Sequence, residues 1–321
     1  MKVLITNTHL SIPHGSEIWT AAVAQELVRR GHDVYLYTSD MGDFHYQMLR
    51  NIPTISGPGG WQKDENDNPE PFDFAILQHL NQIKNDKVFG EAIFDLLPPS
   101  KRIILICHGT GPSAEQPVPR EGVLEDAHYV CISEEIKNHY PEFPWEIVKQ
   151  PIDPAWFMPP KTLLGKPERV VWAAHRFTLS DSFTDYCVKN QIGVFATGNK
   201  LQYPHEIRDT YSKMDLVIGT GRWAYEALAA GIPCIIANRN LDLGYVTLGN
   251  VQEFEKYNMT PRHPSAHESN WEQLFENYHT DQVEGLRKYA ENSYHVSVIV
   301  DQFMKILGIE SVGDITNQVY S

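Results

Sequence analysis

The chain has 321 residues, 42% of them hydrophobic and 21% charged, enough for a sizeable core and roughly two domains of about 150 residues each. The formal charge of −14 weighs against a general nucleic-acid binder or a protein drawn to an anionic membrane surface, both of which rely on a net basic face. Four scattered cysteines with no C-x-x-C pair point to reduced thiols, and no apolar run approaches the 18 residues of a membrane span, so a cytoplasmic protein without signal peptide is expected.

Apolar, often β-branched runs alternate with helical patterns along most of the chain. Strands are predicted at 2–7, 33–38, 73–78, 101–107, 128–132 and 146–150, then at 169–174, 192–197, 214–218 and 233–237. Their hydrophobicity is continuous rather than alternating, which suits strands of a parallel sheet covered on both faces. A first helix over 16–30 places Trp19, Val23 and Leu27 on one stripe and stops at Arg29-Arg30-Gly31. Residues 53–72 are a polar, Gly/Pro-rich loop of the length that often carries function. Residues 151–168 hold five of the 21 prolines and no period, which marks an interdomain linker. The last helical pattern runs over 282–307 and leads into a polar tail.

One stretch carries chemistry on its face. Gly219-Thr220-Gly221-Arg222-Trp223-Ala224 fits the G-x-G-x-x-A form of dinucleotide-binding turns. Such a turn normally follows the first strand of its domain and opens a longer helix, with an acid about 20 residues on. Here the strand is a late one, the helix stops at Gly231-Ile232-Pro233, and Asn238-Arg239-Asn240 stands where the acid is expected. A turn holding some other phosphorylated ligand fits better, because backbone N–H groups at a helix start attract phosphate. Glu226, one turn into that helix, is placed to accept both hydroxyls of a ribose; as a lone residue it is equally an ordinary helix glutamate.

Five motifs in order resemble one family. HGSEIWTAAVAQELVRRGHDVYLYTS is similar to a Gly-Gly-x-Glu loop, first helix and "RGHEV" strand entry; ICHGT (106–110), YVCISEEIK (129–137) and QPIDPAWFMP (150–159) match its "H-G", "S-x-x" and "G-I-D-x-x-x-F" signatures; SKMDLVIGTGRWAYEALAAGIPCIIA resembles its donor-site segment. The family is the large retaining GT-B glycosyltransferase group (glycosyltransferase family 4-like), and the resemblance covers nearly all of 1–307.

That resemblance implies an α/β chain of two Rossmann-like doubly wound domains with an interdomain cleft. It implies an acceptor-side domain over 1–155, a nucleotide-sugar domain over 156–285, and a helix and tail over 286–321 packing back on the first. Gly15 and Ser16 resemble the loop that approaches the donor diphosphate and sugar. His108 matches the histidine facing the transferred sugar, Arg176 the cation on the diphosphate, and Glu226 the second Glu of E-x7-E, the ribose clamp. Gly219, Thr220, Gly221 and Arg222 complete the donor set.

Two positions depart from the pattern. The first Glu of E-x7-E is Ile218, and the lysine expected five residues after the arginine is Asp181, with Arg222 or His175 as substitutes. Neither an H-E-x-x-H run among the 14 histidines nor a D-x-D pair occurs, so no metal and no cofactor are implied beyond the donor substrate.

The expected activity is transfer of a hexose or pentose from a UDP- or GDP-sugar to an acceptor hydroxyl, with retention. A glycan or small hydroxyl compound is the expected acceptor, in preference to DNA. The alternatives are a GT-B sugar-nucleotide epimerase, a phage-type transferase acting on hydroxymethylated DNA bases, and a nucleotide-sugar-binding regulator.

Overall fold

The computed structural model describes residues 1–11, 14–43, 48–55, 71–80, 97–111, 115–118, 124–158, 162–163, 165–173, 179–197 and 204–309. Two sheet bodies follow one another along the chain. The first sheet is built from β1 (Lys2–Thr6), β3 (Asp33–Tyr37), β5 (Thr54–Ile55), β6 (Phe74–Leu77), β7 (Ile103–Cys107), β8 (His128–Cys131) and β9 (Trp145–Ile147). They are all parallel, in the order β5-β3-β1-β6-β7-β8-β9. A small separate pair, β2 (His9–Leu10) and β4 (Asp40–Met41), lies beyond the ends of β1 and β3.

Both faces of this sheet are covered. Val3 and Ile5 of β1 pack with Trp19, Val23 and Leu27 of α1 (Gly15–Arg29), while Leu4 packs on the other side with Leu77, Leu105, Tyr129 and Trp145. That arrangement is why the strands read as unbroken apolar runs.

The second sheet orders β10 (Arg169–Ala173), β11 (Gly193–Ala196), β12 (Leu216–Gly219), β13 (Cys234–Ala237), β14 (Leu241–Tyr245) and β15 (His267–Glu268) as β11-β10-β12-β13-β14-β15. Its first four are parallel and its last two antiparallel. The reversal at β14 is absent from the sequence reading. The Asn238 side-chain oxygen accepts from the N–H groups of Asn240 and Leu241, both at 2.9 Å, and folds the chain back at once.

The helices after α1 are α2 (Glu134–His139), α3 (Asp181–Lys189), α4 (Pro204–Tyr211), α5 (Arg222–Ala229), α6 (Val251–Glu255), α7 (Trp271–Glu276), α8 (Val283–Tyr294) and α9 (Val296–Ile306). The helix expected over 282–307 is therefore two. His295 between them is extended (φ −52°, ψ 132°), and its ring Nδ1 accepts from the Ser297 N–H at 3.2 Å to cap α9. The backbone of Ile152 enters the break: its N–H donates to Tyr294 O at 2.7 Å and its carbonyl accepts from Val296 N–H at 3.0 Å.

After the break the chain crosses to the first body. Ile299, Val300 and Phe303 of α9 join the core around α1, and Arg30 ties the two helices through Asp301 at 2.6 Å and the Ser297 carbonyl at 2.7 Å. The proline-rich stretch 151–168 is partly core: Ile152 and Trp156 are buried among residues of the second body. Of the loop expected over 53–72, residues 56–70 lie outside the described residues, and Thr54–Ile55 form β5.

Candidate functional site: a cleft at the carboxyl ends of two sheets

Parallel αβ sheets gather polar groups just past the carboxyl ends of their strands, and the candidate residues collect there. Asn7 follows β1, Gln78 and His79 follow β6, and His108 follows β7. Gly15, exposed, and Ser16, half-buried, open α1 beside them. The Ser16 hydroxyl donates to Oε2 of Glu17 at 3.0 Å, and burial pushes the Glu17 carboxyl above its ordinary range.

His108 is partly buried, with its ring edge-on to Trp19 at 5.3 Å between centroids. Its Nε2 lies 2.6 Å from Gln78 Oε1, while its Nδ1 is buried with no partner among the described residues. Burial drives its pKa down to about 4, with the positive charges of His79 and Arg222 adding to the fall and Glu115 opposing it. The ring is therefore neutral at neutral pH.

Glu115 closes the group from a loop. It accepts from His79 Nε2 at 3.2 Å and from the His108 backbone N–H at 3.2 Å. Burial acts to raise its pKa, but the hydrogen bond from His79, with further interactions with both histidines, holds it below the ordinary value. His79 itself sits at φ 55°, a left-handed backbone that a non-glycine residue adopts at a cost of about 1 kcal/mol or more.

The second sheet contributes the turn between β12 and α5. Gly219 pairs with Ala173 across the strands, and a Cβ there would stand 2.9 Å from the Ala173 carbonyl oxygen, so the close approach requires glycine. Thr220 is half-buried at the start of the turn. Gly221 adopts φ 57° as the residue before the helix, and its N–H donates to Met259 O at 2.8 Å.

Arg222 then folds along its own helix to donate Nε–H to Glu226 Oε1 at 2.7 Å, with side chains only 8% and 3% exposed. Both terminal nitrogens of Arg222 are buried and unpartnered among the described residues. Burial raises Glu226 to about 7 although Arg222 pulls it down, and Asp153 nearby adds to the rise. Glu226 is thus engaged with Arg222 rather than standing open to solvent.

Ile218, at the position of the missing first Glu, is a fully buried strand residue paired with Trp172 and Ile235. Asp181 is exposed as the first residue of α3. Arg176 and His175 lie outside the described residues. Among the described residues no three His, Cys, Asp or Glu side chains are grouped to hold a metal ion.

Gly15, Ser16 and His108 thus gather at the strand ends of the first body, and Arg222 and Glu226 at the start of α5 in the second; the Arg222 charge acts on His108. Sequence reading missed Gln78, His79 and Glu115. The first two carried a signal, polar residues directly ending the buried run Phe74–Leu77. Glu115 carried none, because a loop delivers it.

No family model and no curated protein matches the chain. Among solved structures it superposes on an alpha-glucosyltransferase in complex with UDP at a TM-score of 0.54 and 10% identity, over 96% of this chain and 100% of that one. An alpha-glucosyltransferase bound to UDP and a 13-mer DNA containing a HMU base gives 0.54 at 11% identity, over 96% and 99%. The glycotransferase of kitacinnamycin gives 0.51 at 11%, over 95% and 98%. At such identity the likeness concerns architecture: the chain has the GT-B fold, with one all-parallel sheet followed by a second that is parallel over its first four strands.

Proposed function

We propose that the chain is a glycosyltransferase that moves a sugar from a UDP- or GDP-sugar to an acceptor hydroxyl. The observation that carries this reading is the Arg222 guanidinium, buried at the start of α5 with both terminal nitrogens unpaired among the described residues. Buried N–H groups left without acceptors on a charged fork are costly even with Nε paired to Glu226, and an anion brought against them would remove that cost. A diphosphate fits, because the N-terminus of α5 adds its own positive end. Two solved neighbours hold UDP.

In this reading the bond between the anomeric carbon and the diphosphate oxygen breaks through an oxocarbenium-like state, with attack from the same face and retention. The acceptor oxygen bonds to that carbon, and its proton passes to the departing phosphate oxygen. Arg222 and Arg176 offset the charge growing on the leaving group without a metal. Ser16 and the start of α1 face the sugar and phosphates. Glu226 braces the Arg222 fork and meets the ribose. The net charge of −14 favours a neutral or mildly charged acceptor, a glycan or small hydroxyl compound, over DNA.

Incubation with a panel of UDP- and GDP-sugars in EDTA tests this. Slow release of free sugar is the expected outcome. An isomerised nucleotide sugar would instead mark an epimerase, and binding without turnover a regulator.

A further inference from the structure

The polar side chains behind His108 form a chain in which each proton can be followed. Asn7 Oδ1 accepts from the His9 N–H at 3.1 Å, which leaves the Asn7 amide nitrogen facing Thr20 Oγ1 at 3.0 Å. The single hydroxyl proton of Thr20 goes to the Ser16 carbonyl at 2.8 Å, so Thr20 Oγ1 is an acceptor toward its other neighbours. One of those is Gln78 Nε2 at 2.9 Å. Gln78 therefore turns its carbonyl oxygen toward His108, and a nitrogen 2.6 Å away must donate to it. That places the ring proton on Nε2 and the lone pair on Nδ1.

The opposite orientation of Gln78 fails on a second, independent ground. It would put a proton on Nδ1, which is buried without a partner among the described residues and lies in the field of Arg222. A buried unsatisfied donor beside a cation is the costlier arrangement; a lone pair there is favoured. The backbone of Gln78 is held too, since its N–H donates to Thr6 Oγ1 at 2.9 Å and its carbonyl accepts from the same hydroxyl at 3.0 Å.

We propose that Gln78 is a positioning residue: it fixes His108 as the Nε2–H tautomer and so leaves the buried Nδ1 as a hydrogen-bond acceptor. Such a nitrogen accepts a hydrogen bond from a ligand hydroxyl brought against it and disfavours a phosphate or carboxylate oxygen, which has no proton to share. The inference rests on the proposed function only for the owner of that hydroxyl. The tautomer itself does not depend on it.

The test is long-range nitrogen–proton NMR of the full chain labelled at histidine nitrogens, recorded without ligand, with His108 assigned from a His108→Asn spectrum. In the wild type, Nδ1 should resonate at the unprotonated position and Nε2 at the protonated one throughout the neutral range. In Gln78→Leu the two should move toward each other as the tautomers mix. Gln78→Glu should keep the Nε2–H form but protonate at a pH higher by about one unit or more, because a carboxylate joins Glu115 in opposing the charges of His79 and Arg222. A protonated Nδ1 in the wild type, or a wild-type pattern in Gln78→Leu, would overturn the proposal. Should Gln78→Leu fail to fold by circular dichroism, unchanged titration in Gln78→Glu would overturn it alone. Failure of nucleotide binding would leave these spectra untouched and count against the proposed function only.

Discussion

At the residue scale two buried groups depart from their ordinary pKa in opposite directions, and the signs can be worked through. Glu226 is raised to about 7 by burial, so the native chain holds a proton that the unfolded chain has lost above its ordinary value near 4.5. Its contribution to stability is present below about 4.5 and is lost as pH rises to about 7. His108 is lowered to about 4 from 6.5, so its contribution is present above 6.5 and is lost as pH falls toward 4. The two oppose each other over the shared range, and differences between variants separate them. Melting temperatures at pH 5 and pH 7 should show Glu226→Gln gaining relative to wild type as pH rises. An identical pH trend in both proteins would contradict the burial of Glu226. Arg222→Ala should lower kcat by about 10²-fold, with Arg222→Lys restoring only part, since lysine lacks the two-pronged geometry. Wild-type turnover in the alanine variant would remove Arg222 from the site.

At the element scale, the turn from β12 into α5 places the second body's share of the site. A methyl group at Gly219 would push into the Ala173 carbonyl at 2.9 Å and separate β10 from β12. Gly219→Ala should therefore lose about 1–3 kcal/mol in urea unfolding; an unchanged midpoint would mean that the strands do not approach so closely. This turn was legible in the sequence, because a glycine pair between an apolar strand and a short helix has few other uses. The parallel strands were legible for a related reason: runs such as Ile103–Cys107 stay apolar because both faces are covered. Where tertiary contacts decide, pattern failed. The segment over 282–307 keeps helical periodicity on both sides of His295, and only the backbone of Ile152 shows why it breaks there. β14 was missed because Asp242 is polar yet fully buried, its Oδ1 accepting from the Gly244 N–H at 2.8 Å. Glu115 reaches His79 across 36 positions of sequence, a distance no local pattern spans.

At the scale of the whole molecule, the two bodies are held by polar contacts of unequal weight around the cleft. Lys149, two residues beyond β9, meets Glu255 at the end of α6 at 2.7 Å, and Glu255 also accepts from the hydroxyls of Tyr289 and Tyr294. Arg262 pairs with Glu135 of α2 through two bonds of 2.6 and 2.8 Å, but more than half of its side chain is in water. Glu255→Gln should therefore cost roughly 2 kcal/mol or more. Glu135→Gln should cost under about 1 kcal/mol, and less at high salt. Equal losses in chemical unfolding would contradict this ranking. The Arg222 charge at the start of α5 acts on His108 in the other body, and on the buried Arg222 the proposed function stands. Its most direct test is calorimetric titration of the wild type and Arg222→Ala with UDP and with GDP in EDTA. One of the two nucleotides should bind the wild type at one site per chain, and the variant should bind it at least about tenfold more weakly, the loss of one charge-assisted contact. No heat with either nucleotide, or equal affinity in the two proteins, would contradict the account.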